Sequence, residues 1–161
     1  MSEHLYTVKD IAAAISMTGE LDEVQRLMRQ IRHWTNNDIL IPLGGKRTGT
    51  GVSRVYKDVE VYKAAIVSEL VRYGITVEMI AQIAEWFEML EGTSQWQNAI
   101  AGNEDFFLQF AFHSPLETSM FKPLFKGEKL VINLLQSENP LTDYASAIIV
   151  NVAVIAKRVR L

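Results

Sequence analysis

Three arginines, Arg26, Arg29 and Arg32, recur every third residue in the stretch VQRLMRQIRHW. At about 100° per residue, Arg26, Arg29, Gln30, His33 and Asn36 fall opposite the apolar stripe Leu21, Val24, Leu27, Met28, Ile31 and Trp34. These side chains are long, cationic or amide-bearing, and such groups bond phosphate oxygens and base edges. A second basic cluster follows in the glycine-rich segment LGGKRTGTGVSRVY, which carries Lys46, Arg47 and Arg54 and ends at Tyr56. From Val24 to Lys57 seven Lys/Arg stand against one acid, Asp38, a local charge of +6 in a chain of net charge -3. The residues before this island carry -4 and those after it -5. A positive island in an acidic chain is an electrostatic footprint for a polyanion.

The elements that position these groups can be read from local signals. Thr7 with Asp10 three residues on is a variant capping box, and Val8, Ile11, Ala12 and Ile15 form one face of a short helix that ends near Gly19. A second helix is predicted from about Leu21 to Asn37. It stops at Asn36-Asn37-Asp38, whose side chains compete for backbone bonds, and Pro42 cannot continue a helix. Ile39-Leu40-Ile41 and Val52 to Tyr56 are short β-prone runs, predicted to pair as a two-stranded wing with Lys46 and Arg47 at its tip. Asp58 caps a third helix, about Val59–Tyr73, closed by Gly74. Thr76 caps a fourth, about Val77–Leu90, with a wide apolar face.

In this order the first 90 residues resemble the winged helix-turn-helix domain of MerR-type transcription regulators. The resemblance is carried by the capped opening Tyr6-Thr7-Val8-Lys9-Asp10-Ile11-Ala12, by Ile31-Arg32-His33-Trp34 at the end of the second helix, and by Asp38-Ile39-Leu40-Ile41-Pro42. Arg54-Val55-Tyr56 followed by Asp58-Val59, and the turn Gly74-Ile75-Thr76, complete it. The chain departs from the family in a longer stretch between the first two helices, a longer loop, and residues 92–104, which lack the heptads of the family's dimerisation helix. The resemblance implies a bacterial DNA-binding transcription regulator. It implies a phosphate contact from Arg32, with His33 or Trp34 against the backbone, and another from Arg54, with Tyr56 closing the wing. Helical geometry, independently, selects Arg26, Arg29 and Gln30 for base contacts, and Lys46 and Arg47 for the minor groove or backbone.

The expected fold class is therefore α+β. Residues 1–91 are read as a winged helix-turn-helix with four helices and a two-stranded wing, 92–104 as a linker, and 105–161 as a small β-rich region. In the last of these, FFLQFAF, KLVINLL and SAIIVNV read as strands, and Ala153–Leu161 fits either a strand extension or a short helix. A β-rich piece of this size is marginal alone, so it is expected to pair with its copy in a homodimer. Double-stranded DNA is the expected partner, and RNA polymerase a further candidate.

Several functions are disfavoured. There are no cysteines, hence no disulfide or thiolate site. His4 and His113 have no partners at metal-ligand spacing, so neither metal nor cofactor is expected. The glycine-rich loop lacks the Gly-Lys-Ser/Thr ending of a phosphate loop. No nucleophile–base pair or carboxylate dyad suggests an enzyme; Glu85, Glu88 and Glu91 read as a solvated face, and the methionines as gap-fillers. Ala145–Ala156 is shorter than the roughly 20 residues of a membrane span, and MSEHLYTVKD has no secretory pattern, so a cytoplasmic location is expected. An Arg-bearing helix face is by itself most often merely solvated; its coincidence with a basic loop is what points to DNA. The alternatives are a winged-helix protein adaptor and an architectural, phage-derived DNA-bending factor.

Overall fold

A computed structural model of the chain describes residues 4–46, 52–82, 84–103, 107–112, 120–123 and 146–159. Over these it is a mixed helix-and-strand fold of the α+β kind, with one two-stranded and one three-stranded antiparallel sheet. Contacts gather it into two compact units, residues 1–84 with 158–161, and residues 85–157. Among the described residues no helix is long and apolar enough to cross a membrane.

The first unit opens with β1 (Tyr6–Thr7) and α1 (Val8–Ile15). The capping box forms: the Asp10 carboxylate accepts the Thr7 N–H at 2.8 Å, and the Thr7 hydroxyl accepts the Asp10 N–H at 3.3 Å. After the Ser16–Glu20 turn comes α2 (Leu21–Asn36), which buries Leu27, Ile31, Trp34 and Thr35. Each large apolar side chain so buried contributes about 1.5–3 kcal/mol relative to exposure. The helix ends in a Schellman motif. The Asp38 N–H reaches the Thr35 carbonyl at 3.2 Å, and the Ile39 N–H reaches the Trp34 carbonyl at 3.0 Å. Asp38 sits at the left-handed position, φ 59°, where glycine is usual.

That turn aims Ile39 and Leu40 into the core, where both are fully buried. They are not the wing strand expected there. β2 (Val55–Tyr56) pairs with β1 instead, Tyr6 opposite Tyr56 and Thr7 opposite Val55, and only Leu43 bridges to it from the other side. The Ile41 N–H, which a wing strand would have given to a neighbour strand, is bonded at 2.9 Å to the Glu60 carboxylate of α3 (Asp58–Arg72).

α3 is buried on almost every side, including Glu60 and Lys63, whose ammonium and carboxylate meet at 2.9 Å. Its end is a second Schellman motif with Gly74 at φ 84°; the Ile75 N–H bonds the Leu70 carbonyl at 3.1 Å. Within the span read as a fourth helix, α4 (Val77–Gln82) and α5 (Ala84–Glu91) are described, with Ile83 between them outside the described residues. The division between units falls between Ala84 and Glu85, at the start of α5.

In the second unit, the stretch read as a linker contains α6 (Ser94–Ile100), capped by the Thr93 hydroxyl on the Trp96 N–H at 3.2 Å. The sheet has the order β4–β3–β5: β3 (Phe107–Phe112) lies between β4 (Met120–Pro123) and β5 (Ser146–Asn151). FFLQFAF and SAIIVNV thus supply strands, KLVINLL lies outside the described residues, and β4 was not read as a strand. Asn151 caps α7 (Val152–Ala156), so the chain turns helical at once after β5.

The Glu60–Lys63 pair generates a stability prediction. Lys63→Ala would strand a buried carboxylate, and should cost about 3–5 kcal/mol in urea unfolding. The double variant Glu60→Gln/Lys63→Met keeps an acceptor for the Ile41 N–H, and should recover most of that loss.

Candidate nucleic-acid interface

The turn between α1 and α2 is built around one carboxylate. Glu23, in the first turn of α2, reaches back to accept the Ser16 hydroxyl, the Thr18 N–H at 2.8 Å and the Thr18 hydroxyl at 2.7 Å. Ser16, buried, also accepts the Gly19 N–H at 2.9 Å. The Ser16 bond first, then the two Thr18 bonds, hold the Glu23 carboxyl down at about 2, from an ordinary 4.5. A glutamate at the third position of a helix reaching back is the capping-box device, stretched here over a longer turn. It fixes how α2 leaves α1.

α2 then presents a cationic face. Arg26, Arg29, Arg32 and His33 are exposed and Gln30 is half-buried. Arg26 lies 3.7 Å from Glu23, a loose surface pair. Among the described residues Arg29 and Arg32 make no ion pair or hydrogen bond. His33 sits in the last turn, with the Asn37 amide on its carbonyl at 2.9 Å; the Glu78 carboxyl is held below the usual range chiefly by a bond from its own backbone and then by Thr76.

Beside this face an open groove of about 610 Å³ runs from the start of α1 to the C-terminal half of α2 and the 52–54 segment. Its lining includes Thr7, Lys9, Arg32, Asn36 and Arg54 and, among the described residues, no acidic residue. Lys9 was not among the residues selected from sequence. The signal was its place one residue after the start of α1, where a lysine faces the groove if α2 crosses behind it, and that crossing is not in the sequence pattern.

The loop residues behave differently from expectation. Lys46 is not at a free tip. Its ammonium contacts the Asp38 carboxylate and donates to the Asn36 carbonyl at 3.2 Å, so it caps the C-terminus of α2. Arg54 lines the groove but spends two donors within the fold, on the Lys46 carbonyl at 2.9 Å and the Asn36 side-chain oxygen at 3.3 Å. Tyr56, selected as a DNA-contact residue, is fully buried, and its hydroxyl pairs with that of Thr35 at 2.9 Å. Packing is its role, and it has no surface to offer a ligand. Arg47 lies outside the described residues. Thr35, missed in the sequence, is buried because its hydroxyl bonds the Ile31 carbonyl at 2.9 Å as well as Tyr56.

The Glu23 clamp predicts a pH dependence. Its folded-state carboxyl is more acidic than in the unfolded chain, so the clamp's contribution is complete above about pH 4.5 and is lost as the pH falls toward 2. Glu23→Gln should lower stability at pH 7 and flatten the fall between those limits, measured by urea midpoints across the pH series.

No protein-family model matches the chain, and no curated protein matches it. What the cationic face does must therefore be argued from its own geometry.

Proposed function

We propose that the first unit is a winged helix-turn-helix that binds double-stranded DNA, and that the protein regulates transcription. α2 enters the major groove, Arg29 and Gln30 face base edges, and Lys9 and Arg32 hold phosphates flanking it. The observation that carries this reading is the pair Arg29 and Arg32, exposed and, among the described residues, without an ion pair or side-chain hydrogen bond, beside a groove whose described lining holds Lys9, Arg32 and Arg54 and no acid. Unpaired guanidinium groups on a rigid helix bind phosphates and guanine edges without first breaking an internal bond. A protein adaptor would be favoured had the acids at the start of α2 neutralised this face. Only Arg26 is so paired, at 3.7 Å.

Regulation at a paired site needs two copies of α2 about 34 Å apart, or a multiple of that. The second unit is the proposed dimerisation element. In its support, β4 and β5 are outer strands among the described residues, and Ile149 on β5 is exposed. An unpaired strand edge with apolar side chains is a natural partner for its own copy.

The test is binding of the full chain to labelled duplex as salt is raised. Wild type should bind at about 50 mM salt and weaken steeply by 200 mM. Lys9→Ala and Arg32→Ala should each weaken binding to all sequences and reduce the slope of log affinity against log salt by about 1. Arg29→Ala should instead relax sequence preference, by about 1–3 kcal/mol at one base pair. Absence of salt-dependent binding by wild type would sink the reading.

A further inference from the structure

The basic stretch from Val24 to Lys57 contains a single acid, Asp38, and it occupies a strained position. Among the described residues Asp38 is the only non-glycine with positive φ, at 59°. It stands where a helix end favours glycine, or asparagine next. A carboxylate that is both electrostatically isolated in sequence and conformationally disfavoured suggests a specific use.

Its partner is Lys46. The Lys46 ammonium contacts the Asp38 carboxylate and donates to the Asn36 carbonyl at 3.2 Å, one of the carbonyls that the end of α2 leaves without an intrahelical partner. Arg54 closes the figure, with Nε on the Lys46 carbonyl at 2.9 Å and Nη1 on the Asn36 side chain at 3.3 Å. The outgoing limb of the loop, at Lys46, and the returning limb, at Arg54, therefore both converge on Asn36, in the last turn of the helix that carries Arg29 and Arg32.

We propose that Asp38, Asn36, Lys46 and Arg54 form a brace that fixes the base of the 43–55 loop against α2, and that Lys46 is a positioning residue for DNA binding and not a phosphate contact. The inference rests on the reading of the first unit as a DNA-binding domain. A phosphate taking the remaining N–H of the Lys46 ammonium would sit beside the Asp38 carboxylate, which repels it. Held in the brace, Lys46 instead stabilises the negative end of the α2 dipole and fixes where the loop leaves the helix end.

This assignment reverses the sign of a simple experiment. Asp38→Asn removes one negative charge from the basic surface and keeps a residue that tolerates the left-handed backbone. If Lys46 touched phosphate, freeing it should tighten binding. If the brace positions the loop, binding should weaken.

The measurement is anisotropy of a labelled mixed-sequence duplex with the full chain, from about 50 to 200 mM salt. The variants are Asp38→Asn, Lys46→Ala and the double, with Asp38→Gly as a second form relaxed at the same backbone position. Circular dichroism melts should show all of them folded, since a partly exposed pair adds little to global stability. The expected result is about three- to tenfold weaker binding for Asp38→Asn and for Lys46→Ala, a double variant no weaker than either, and an unchanged salt slope throughout. Tighter or unaltered binding by both Asp38 variants overturns the proposal, as does a fall of about 1 in the Lys46→Ala slope. These outcomes require wild type to bind. Failure of wild type to bind would remove the DNA-binding reading, and this inference with it, and is distinguishable by wild type's own curve.

Discussion

The Glu60 carboxylate, buried in α3, sets the geometry of the first unit. A buried carboxylate is costly unless it is paired and hydrogen-bonded. Here it takes the Lys63 ammonium and the Ile41 N–H, both at 2.9 Å. The second bond anchors the chain just after α2 to the most buried helix of the unit. Ile39 and Leu40 can then lie in the core as irregular backbone, because the N–H that follows them has an acceptor. The same bond removes that N–H from any sheet, which is why β2 pairs with β1 and not with the 39–41 segment. A local preference for strand lost to a tertiary acceptor.

A second tie works from the other side of the loop. Tyr56 follows β2's first residue, and its hydroxyl meets Thr35 in the last turns of α2. Thr35 also bonds back to the Ile31 carbonyl. One end of the loop is thus fastened to α3 through Ile41 and the other to α2 through Tyr56. With Trp34 and Ile31 fully buried on the same side, α2 has no rotational freedom left. The exposure of Arg29 and Arg32 follows from what the opposite face is required to bury, and from the Glu23 clamp that sets the entry of the helix.

Features with a short-range cause were legible in the sequence. The Thr7–Asp10 box, the extent of α2 and the end of α3 at Gly74 each have a signal within a few residues, and each is found; Asp58, read as the cap of the third helix, is instead its first residue, with Lys57 at the cap and no side-chain cap bond. The cationic face of α2 was legible for the same reason, since period and residue type determine it. What was not legible depends on partners distant in sequence. Nothing local to Tyr56 says that Thr35, twenty-one residues earlier, will take its hydroxyl. Nothing local to Lys46 or Arg54 says that the end of α2 will use their donors. Residues 77–91 carry an apolar period that runs across the boundary between the two compact units at Ala84 and Glu85, and period cannot report where one unit gives way to the next.

The basic island therefore divides by how its donors are spent, which a charge count cannot reveal. Lys46 is in contact with an acid, and Arg54 is engaged with a carbonyl and an amide. Arg26 is loosely paired. Arg29 and Arg32 retain their donors among the described residues, and Lys9, from outside the island, joins Arg32 at the groove. At distances beyond about 10 Å, the screening length at 0.1 M salt, only net charge matters, and Asp38 subtracts from it. At contact distance, a guanidinium held by internal bonds offers a phosphate only its remaining donors in the orientation those bonds fix, whereas an unbonded one can turn any of its five donors toward it. A +6 stretch can thus steer a polyanion with most of its charge while gripping it with a minority of its side chains. Lys46 and Arg54 instead tie the base of the loop to the end of the helix that carries Arg29 and Arg32.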